Sequence, residues 1–168
     1  GKLRSFDLSD SASRRIAYTD GEKLYLRRWE IDNGAIKVLP AQLIYDGLVD
    51  RMDFKQDGSR LAFTTIGEAA PASIFTFSPG EEGAQPVPIL TGWQVLGLRW
   101  DPTDQGYLYF WGGPFGASTR SLHRIPEAGG TPERISMELS GAEFDVIRTG
   151  LSPSGVFMAV SAGSEAVF

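Results

Sequence analysis

The chain has 168 residues, of which 42% are hydrophobic, 22% charged and 11% aromatic, the profile of an ordinary globular chain large enough for one domain with its own core. It holds no cysteine and a single histidine, His123, which excludes disulfides, thiolate zinc and iron–sulfur centres, a cysteine nucleophile and a multi-histidine metal centre. Sixteen basic against 21 acidic residues give a net charge of −5 with no basic run, so nucleic acid is not expected as a partner. No apolar stretch approaches the roughly 18 residues of a membrane helix.

The first residues, Gly1-Lys2, do not begin a signal sequence, and the chain is expected to be a processed or excised one. Gly and Pro number 20 and 10, together about 18% of the residues, against a usual share of roughly 12%. Aromatic and β-branched residues come in short bursts between them, which predicts an all-β fold.

Four segments superpose, at residues 6–18, 52–63, 98–110 and 149–160, each reading as a strand end, a turn and a second strand. Their anchors Leu8, Phe54, Trp100 and Leu151 stand 46, 46 and 51 positions apart, the period of a four-stranded propeller blade. The approximate repeats are 3–47, 48–93, 94–142 and an incomplete 143–168.

In the first unit, Ile16 and Tyr18 follow the turn, Lys23-Leu-Tyr-Leu-Arg-Arg-Trp29 is a third strand, and Ala35-Ile-Lys-Val-Leu39 is expected as the outer strand. In the second, Asp57-Gly58 makes the hairpin turn, and Leu61/Phe63 alternate after it. Ser73-Ile-Phe-Thr-Phe77 and Pro86-Val-Pro-Ile-Leu90 then supply the third and outer strands. In the third, Asp104 to Gly106 make the turn, Leu108/Phe110 follow, and Ser121-Leu-His-Arg-Ile125 precedes an outer Thr131-Pro-Glu-Arg-Ile-Ser136. Residues 136–149 could form a short amphipathic helix, but the period favours a loop through Ser140-Gly141 and an inner strand from Phe144. The fourth unit turns at Ser152-Pro-Ser-Gly155, continues through Met158/Val160, and ends in Glu165-Ala-Val-Phe168.

These units resemble the WD40-like and TolB-like β-propeller repeat, whose pattern is an aromatic residue, Ser-Pro-Asp-Gly, then an apolar strand. Phe54-Lys-Gln-Asp-Gly-Ser-Arg-Leu-Ala-Phe63 and Leu151-Ser-Pro-Ser-Gly-Val-Phe-Met-Ala-Val160 carry the likeness. Leu122-His-Arg-Ile-Pro-Glu-Ala-Gly-Gly-Thr-Pro-Glu-Arg-Ile135 is similar to the family's third strand, Gly-Gly turn and fourth strand. The first unit departs from it, with Ser9-Asp-Ser-Ala-Ser13 in place of the turn. The resemblance implies four-stranded antiparallel blades within a larger propeller of six to eight. A four-bladed ring closed by residues 2–6, and a homo-oligomer joined through open blade edges, are the alternatives.

For function, the resemblance implies a non-catalytic scaffold for protein or peptide recognition. One alternative is the gating propeller of a prolyl-oligopeptidase-type serine peptidase whose hydrolase domain lies elsewhere, and another is a small-ligand sensor or transport component. A periplasmic or otherwise exported location is part of the same implication. No cofactor, metal or catalytic residue is assigned. Gly150-Leu-Ser152-Pro-Ser154-Gly155 lacks the spacing of a nucleophile elbow and reads as a turn. The repeat places His123 on a blade strand without an identified Ser or Asp partner for catalysis, and Asp101, Asp104 and Gly106 lack the alternating ligands of a calcium loop. The candidate contacts are Arg51, Asp53, Arg99 and Arg148 on inner strands, with Asp7 in the same series, since those strands surround a propeller's central channel. The competing reading pairs them as Arg–Asp bridges between blades. Trp111 and Phe115 in the connection at residues 111–119 are candidate apolar anchors, and Trp93 stands at a junction between blades.

Overall fold

The computed structural model describes residues 13–65, 71–103 and 105–135, and the strands at 5–8, 139–140, 148–151, 158–162 and 165–167. All regular structure among them is antiparallel strand, and no helix of the described residues is long and apolar enough to cross a membrane.

Blade one is built from β1 (Ser5–Leu8), β2 (Arg15–Thr19), β3 (Lys23–Asp32), β4 (Ala35–Val38) and β5 (Gln42–Asp46). The sequence places its outer strand at residues 35–39, and the structure corrects this. β4 pairs only with the far half of β3, in the register Trp29↔Val38 to Asp32↔Ala35, whereas β5 flanks the near half from Lys23↔Asp46 to Leu26↔Gln42. The cause is the Asn33-Gly34 dipeptide, whose φ angles of +50° and +80° make the two-residue hairpin that twisted strands favour. A ribbon therefore projects from the blade before the chain returns as β5.

Blade two comprises β6 (Val49–Phe54), β7 (Leu61–Thr65), β8 (Ala72–Phe77) and the first half of β9 (Val87–Trp100). The second half of β9 opens blade three, followed by β10 (Tyr107–Pro114), β11 (Thr119–Pro126), β12 (Glu133–Arg134) and β13 (Leu139–Ser140). The outer strand expected at residues 86–90 and the inner strand expected after the 93/94 repeat boundary are one 14-residue strand, Val87–Trp100. Trp93 lies opposite Ala72 on one side and Pro114 on the other. Gly92, at φ +82°, absorbs the bend where the strand changes partners. β6 to β12 thus form one continuous sheet.

The third sheet joins β14 (Arg148–Leu151), β15 (Met158–Ala162) and β16 (Glu165–Val167). An inner strand is present at β14. Its expected start at Phe144, and the turn at Ser152 to Gly155, lie outside the described residues. β1 pairs with β2 as the innermost strand of blade one, from Ser5↔Thr19 to Leu8↔Ile16.

Hairpin turns follow the sequence chemistry. The Asp57 carboxylate accepts from the Ser59 backbone N–H at 2.8 Å, and Gly58 adopts φ +69°. Asp101 holds the Thr103 N–H at 2.8 Å and its hydroxyl at 2.6 Å, while Asp104 lies outside the described residues. Period-two alternation then splits each strand between two cores. Ala17, Leu24, Leu26 and Ile44 of blade one pack against Phe54, Leu61, Phe63 and Phe77 of blade two. Ala62, Ile74, Ile89 and Leu90 of blade two pack against Leu98, Trp100, Leu108, Phe110 and Ile125 of blade three. Blade two is buried on both faces, so Leu61-Ala62-Phe63-Thr64 is an unbroken buried run.

A bulge between Trp111 and Gly112 lets β9 approach β10 so closely that a Cβ on Gly112 would run into the Gln94 carbonyl. Gly112→Ala is expected to cost about 2 kcal/mol through this backbone clash, measured as a lower urea midpoint with an unchanged m-value.

Candidate functional site

The innermost strands β1, β6, the second half of β9 and β14 follow one another in space, which places Arg51, Asp53, Arg99 and the backbone of Arg148 along one inner wall. Arg148 stands opposite Ser161 in the β14–β15 register. Asp53 is buried between β6 and β9. Its Oδ2 accepts the Trp100 backbone N–H at 2.6 Å, and its Oδ1 accepts Arg99 Nη1–H at 2.9 Å. Its backbone carbonyl accepts the Trp100 indole N–H at 2.9 Å. The Arg–Asp bridge between blades is thus present. The carboxylate is 7% exposed and the Arg99 side chain 55%, so Asp53 is committed to joining blades while Arg99 keeps its outer edge in water.

Arg51 is exposed at the start of β6. Its backbone N–H donates to Thr64 Oγ1 at 3.1 Å, and its guanidinium pairs with its exposed neighbour Asp50 at 3.2 Å. An exposed pair of this kind is worth under about 1 kcal/mol, so Arg51 can exchange Asp50 for another anion at little cost.

The two aromatic residues expected in the connection at 111–119 are separated by the structure. β10 runs on to Pro114, and Trp111 sits within it, 1% exposed, so it is not offered to a partner. The Gly112-Gly113 pair that suggested a loop instead admits close neighbours within the sheet. The connection shortens to residues 115–118, with Phe115 at its tip, 54% exposed. This turn is braced. Phe115 N–H donates to the Gly92 carbonyl at 3.0 Å and Ala117 N–H to the Pro114 carbonyl at 3.0 Å. The Arg120 guanidinium donates to the Ala117 carbonyl, to the Thr119 carbonyl at 2.9 Å, and to Gln94 Oε1. Arg120 and Gln94 were not singled out by sequence; an arginine just after a glycine-containing turn is the signal that could have found them.

Trp93 is half-buried and packs edge-on to Phe110, with centroids 5.5 Å apart, and to His123 at 4.8 Å. His123 stacks on Phe110 at 5.3 Å and sets Nδ1 3.0 Å from the Ser121 carbonyl, so the neutral ring donates there. It is a core residue. Burial lowers its pKa below the ordinary 6.5; the Ser121 carbonyl pulls it back up, and the Arg134 charge pushes it down.

Asp53→Ala is expected to remove about 2–3 kcal/mol, because the buried Trp100 N–H loses a charged acceptor. Arg99→Ala should cost somewhat less, about 1–2 kcal/mol, because the buried carboxylate loses its counter-ion but keeps the Trp100 N–H; urea denaturation of both variants checks the order. For His123 the folded state binds the proton less readily than the unfolded chain. Stability therefore falls as pH drops below about 6.5. His123→Phe, which copies the phenylalanine at the matching place in blade two, should flatten that slope in melts across pH.

No family model matches the sequence, and no curated protein matches it. Solved structures do. TolB from Acinetobacter baumannii is 20% identical with a TM-score of 0.61, over 97% of this chain and 38% of its own. The Cps50 (Swd1) β-propeller domain of Myceliophteria thermophila is 12% identical at 0.56, over 95% and 50%. A prolyl endopeptidase is 9% identical at 0.52, over 96% and 32%. The chain spans a third to a half of the length of these structures. With its all-antiparallel blades and stacked inner strands, it has the fold of a partial β-propeller of the TolB-like and WD40-like kind.

Proposed function

We propose that this chain is a non-catalytic scaffold that recognises a protein or peptide at the end of the propeller where β6 begins and the β10–β11 turn projects. The observation that carries this reading is Phe115, a large aromatic held out in solvent on a turn whose backbone is already fixed by Gly92, Pro114 and Arg120. An apolar anchor ordered before contact loses little entropy on binding, which is how a few residues come to dominate an interface. Arg51, paired with exposed Asp50, supplies an exchangeable cation at the same end, suited to a carboxylate on the partner.

A second reading, the propeller of a serine peptidase, is favoured by the likeness to prolyl endopeptidase. Its hydrolase domain would lie in polypeptide outside this chain, and a Gly-x-Ser-x-Gly elbow there would distinguish it.

The test is selection of peptides from a displayed library on the immobilised chain, followed by calorimetry. Phe115→Ala is expected to weaken the selected peptides by roughly tenfold or more, with Arg51→Ala weakening acidic ones by a smaller factor. Peptides that bind both variants as tightly as the parent chain would overturn the assignment of this surface.

A further inference from the structure

β3 runs past the end of blade one. β2 pairs with it only as far as Arg15↔Arg28, and Trp29 N–H still reaches the Arg14 carbonyl at 3.1 Å. From Glu30 onward β4 is its sole neighbouring strand among the described residues. A two-stranded ribbon is marginal by itself, and a third strand or a covering layer is what makes such a unit stable. This ribbon lies at the end of the molecule where Arg15 joins the β6–β7 turn at Gly58, the end opposite the Phe115 turn.

Register sorts the ribbon's side chains onto two faces. Trp29↔Val38 and Ile31↔Ile36 share one, and Glu30↔Lys37 and Asp32↔Ala35 the other. Trp29 is half-buried, but Ile31, Ile36 and Val38 are 56%, 72% and 55% exposed, so a face made only of apolar side chains is turned to solvent. The same register sets the backbone. The two-residue turn makes Asp32↔Ala35 a hydrogen-bonded pair, and alternation makes Glu30↔Lys37 the next; Leu39 N–H, donating to the Arg28 carbonyl at 2.9 Å, keeps the phase. The N–H and C=O groups of Ile36 and Val38 therefore point away from β3, along an edge that no described strand covers.

What can lie along that edge is limited by Lys37. It stands between Ile36 and Val38 on the polar face, and its ammonium forms no ion pair among the described residues. A second copy that used both open residues would set Ile36 against Val38 and Lys37 against Lys37 across the two-fold axis, like charges directly opposite. Lysine on an edge strand is a common guard against such pairing. A carboxylate in the same place is attractive instead. We propose that β4 takes an extended segment of a protein partner as a third strand of the ribbon, with an acidic residue facing Lys37 and an apolar residue on either side of it, beside Ile36 and Val38. Main-chain hydrogen bonds hold the segment, and its apolar–acidic–apolar alternation selects it.

The test uses two capped peptides at millimolar concentration, Ser-Thr-Val-Glu-Val-Thr-Ser and its counterpart with Lys in place of Glu, with amide hydrogen exchange read by NMR. In the free chain the Ile36 and Val38 amides should exchange faster than those of Ala35 and Lys37. The Glu peptide should protect both, the Lys peptide should bind about three- to tenfold more weakly, and Lys37→Glu should reverse the preference. Val38→Pro removes an outward N–H that no strand within the chain uses, so it should leave the fold intact and abolish binding of the Glu peptide. Equal binding of the two peptides would overturn the chemistry assigned to the partner. Absence of protection, or binding undiminished by Val38→Pro, would overturn the edge. Protection of the same amides that rises with protein concentration alone would give the edge to a second copy, and partition into anionic lipid vesicles that Val38→Pro leaves unchanged would give the apolar face to a lipid surface; either result would overturn the occupant.

Discussion

A stack of sheets held by apolar faces alone has no fixed register, because burial of hydrocarbon is proportional to area and indifferent to direction. Asp53 supplies the missing direction. Its two carboxylate oxygens and its backbone carbonyl take three donors from consecutive residues of the next inner strand, Arg99 and Trp100. β6 therefore cannot slide along β9 without stranding a buried carboxylate, a far larger cost than the loss of a surface pair. Secondary latches act at the turn end of the blades. Arg15 Nη1–H donates to the Gly58 carbonyl at 2.8 Å between blades one and two, and Lys55 reaches Glu127 at 3.2 Å between blades two and three. Position along the axis is set by these polar contacts, and cohesion by the apolar layers between them.

Continuity of β9 makes the three described blades mechanically unequal. Blades two and three share one unbroken sheet, so backbone hydrogen bonds as well as packing join them. Blade one is connected through the Gly47-Leu48 turn, where Gly47 N–H donates to the Glu22 carbonyl at 2.8 Å, and otherwise leans on blade two through side chains. A force or a ligand acting at Phe115 is therefore felt first across β9, through Gly92, and reaches blade one only by way of the doubly buried sheet of blade two.

Much of this was legible in the sequence because the repeat does the work of an alignment within one chain. The 46-residue spacing makes Arg99 the positional equivalent of Asp53, and opposite charges at equivalent places on neighbouring inner strands read as a bridge before any coordinates. Turn chemistry at Asp57-Gly58 was equally plain. The errors came where a local signal has two structural uses. Asn33-Gly34 is a hairpin turn, and reading past it assigned the outer strand to β4, which belongs to the projecting ribbon. Thr91-Gly92 looks like a break, yet a bent strand also needs one glycine. Gly112-Gly113 looks like a loop, yet missing Cβ atoms also allow a neighbouring carbonyl to approach, and this is what draws Trp111 into the core. Which use applies depends on what lies across the sheet, and a window of neighbouring residues does not contain that.

The stacked ring pairs Tyr18–Tyr25, Phe63–Phe75 and Phe110–His123, covered in the last two by Tyr45 and Trp93, show the same division. Tyr18, Phe63 and Phe110 stand 10, 9 and 10 residues after the anchors Leu8, Phe54 and Trp100, and their stacking partners follow from strand pairing. The covering rings do not: Tyr45 and Trp93 stand at different registers relative to the strands they flank, opposite Leu24 and Ala72. A bulge in each outer strand turns the ring toward the next blade, and bulges leave little trace in composition. The consequence is functional as well as structural. Among the described aromatic residues Phe115 alone is exposed, at a strand end, whereas the Tyr18–Tyr25 pair is half-buried on blade one, with the buried sheet of blade two between them. The braced turn and the tyrosine pair therefore lie on separate surfaces, and a partner gripping Phe115 would have no need to touch blade one.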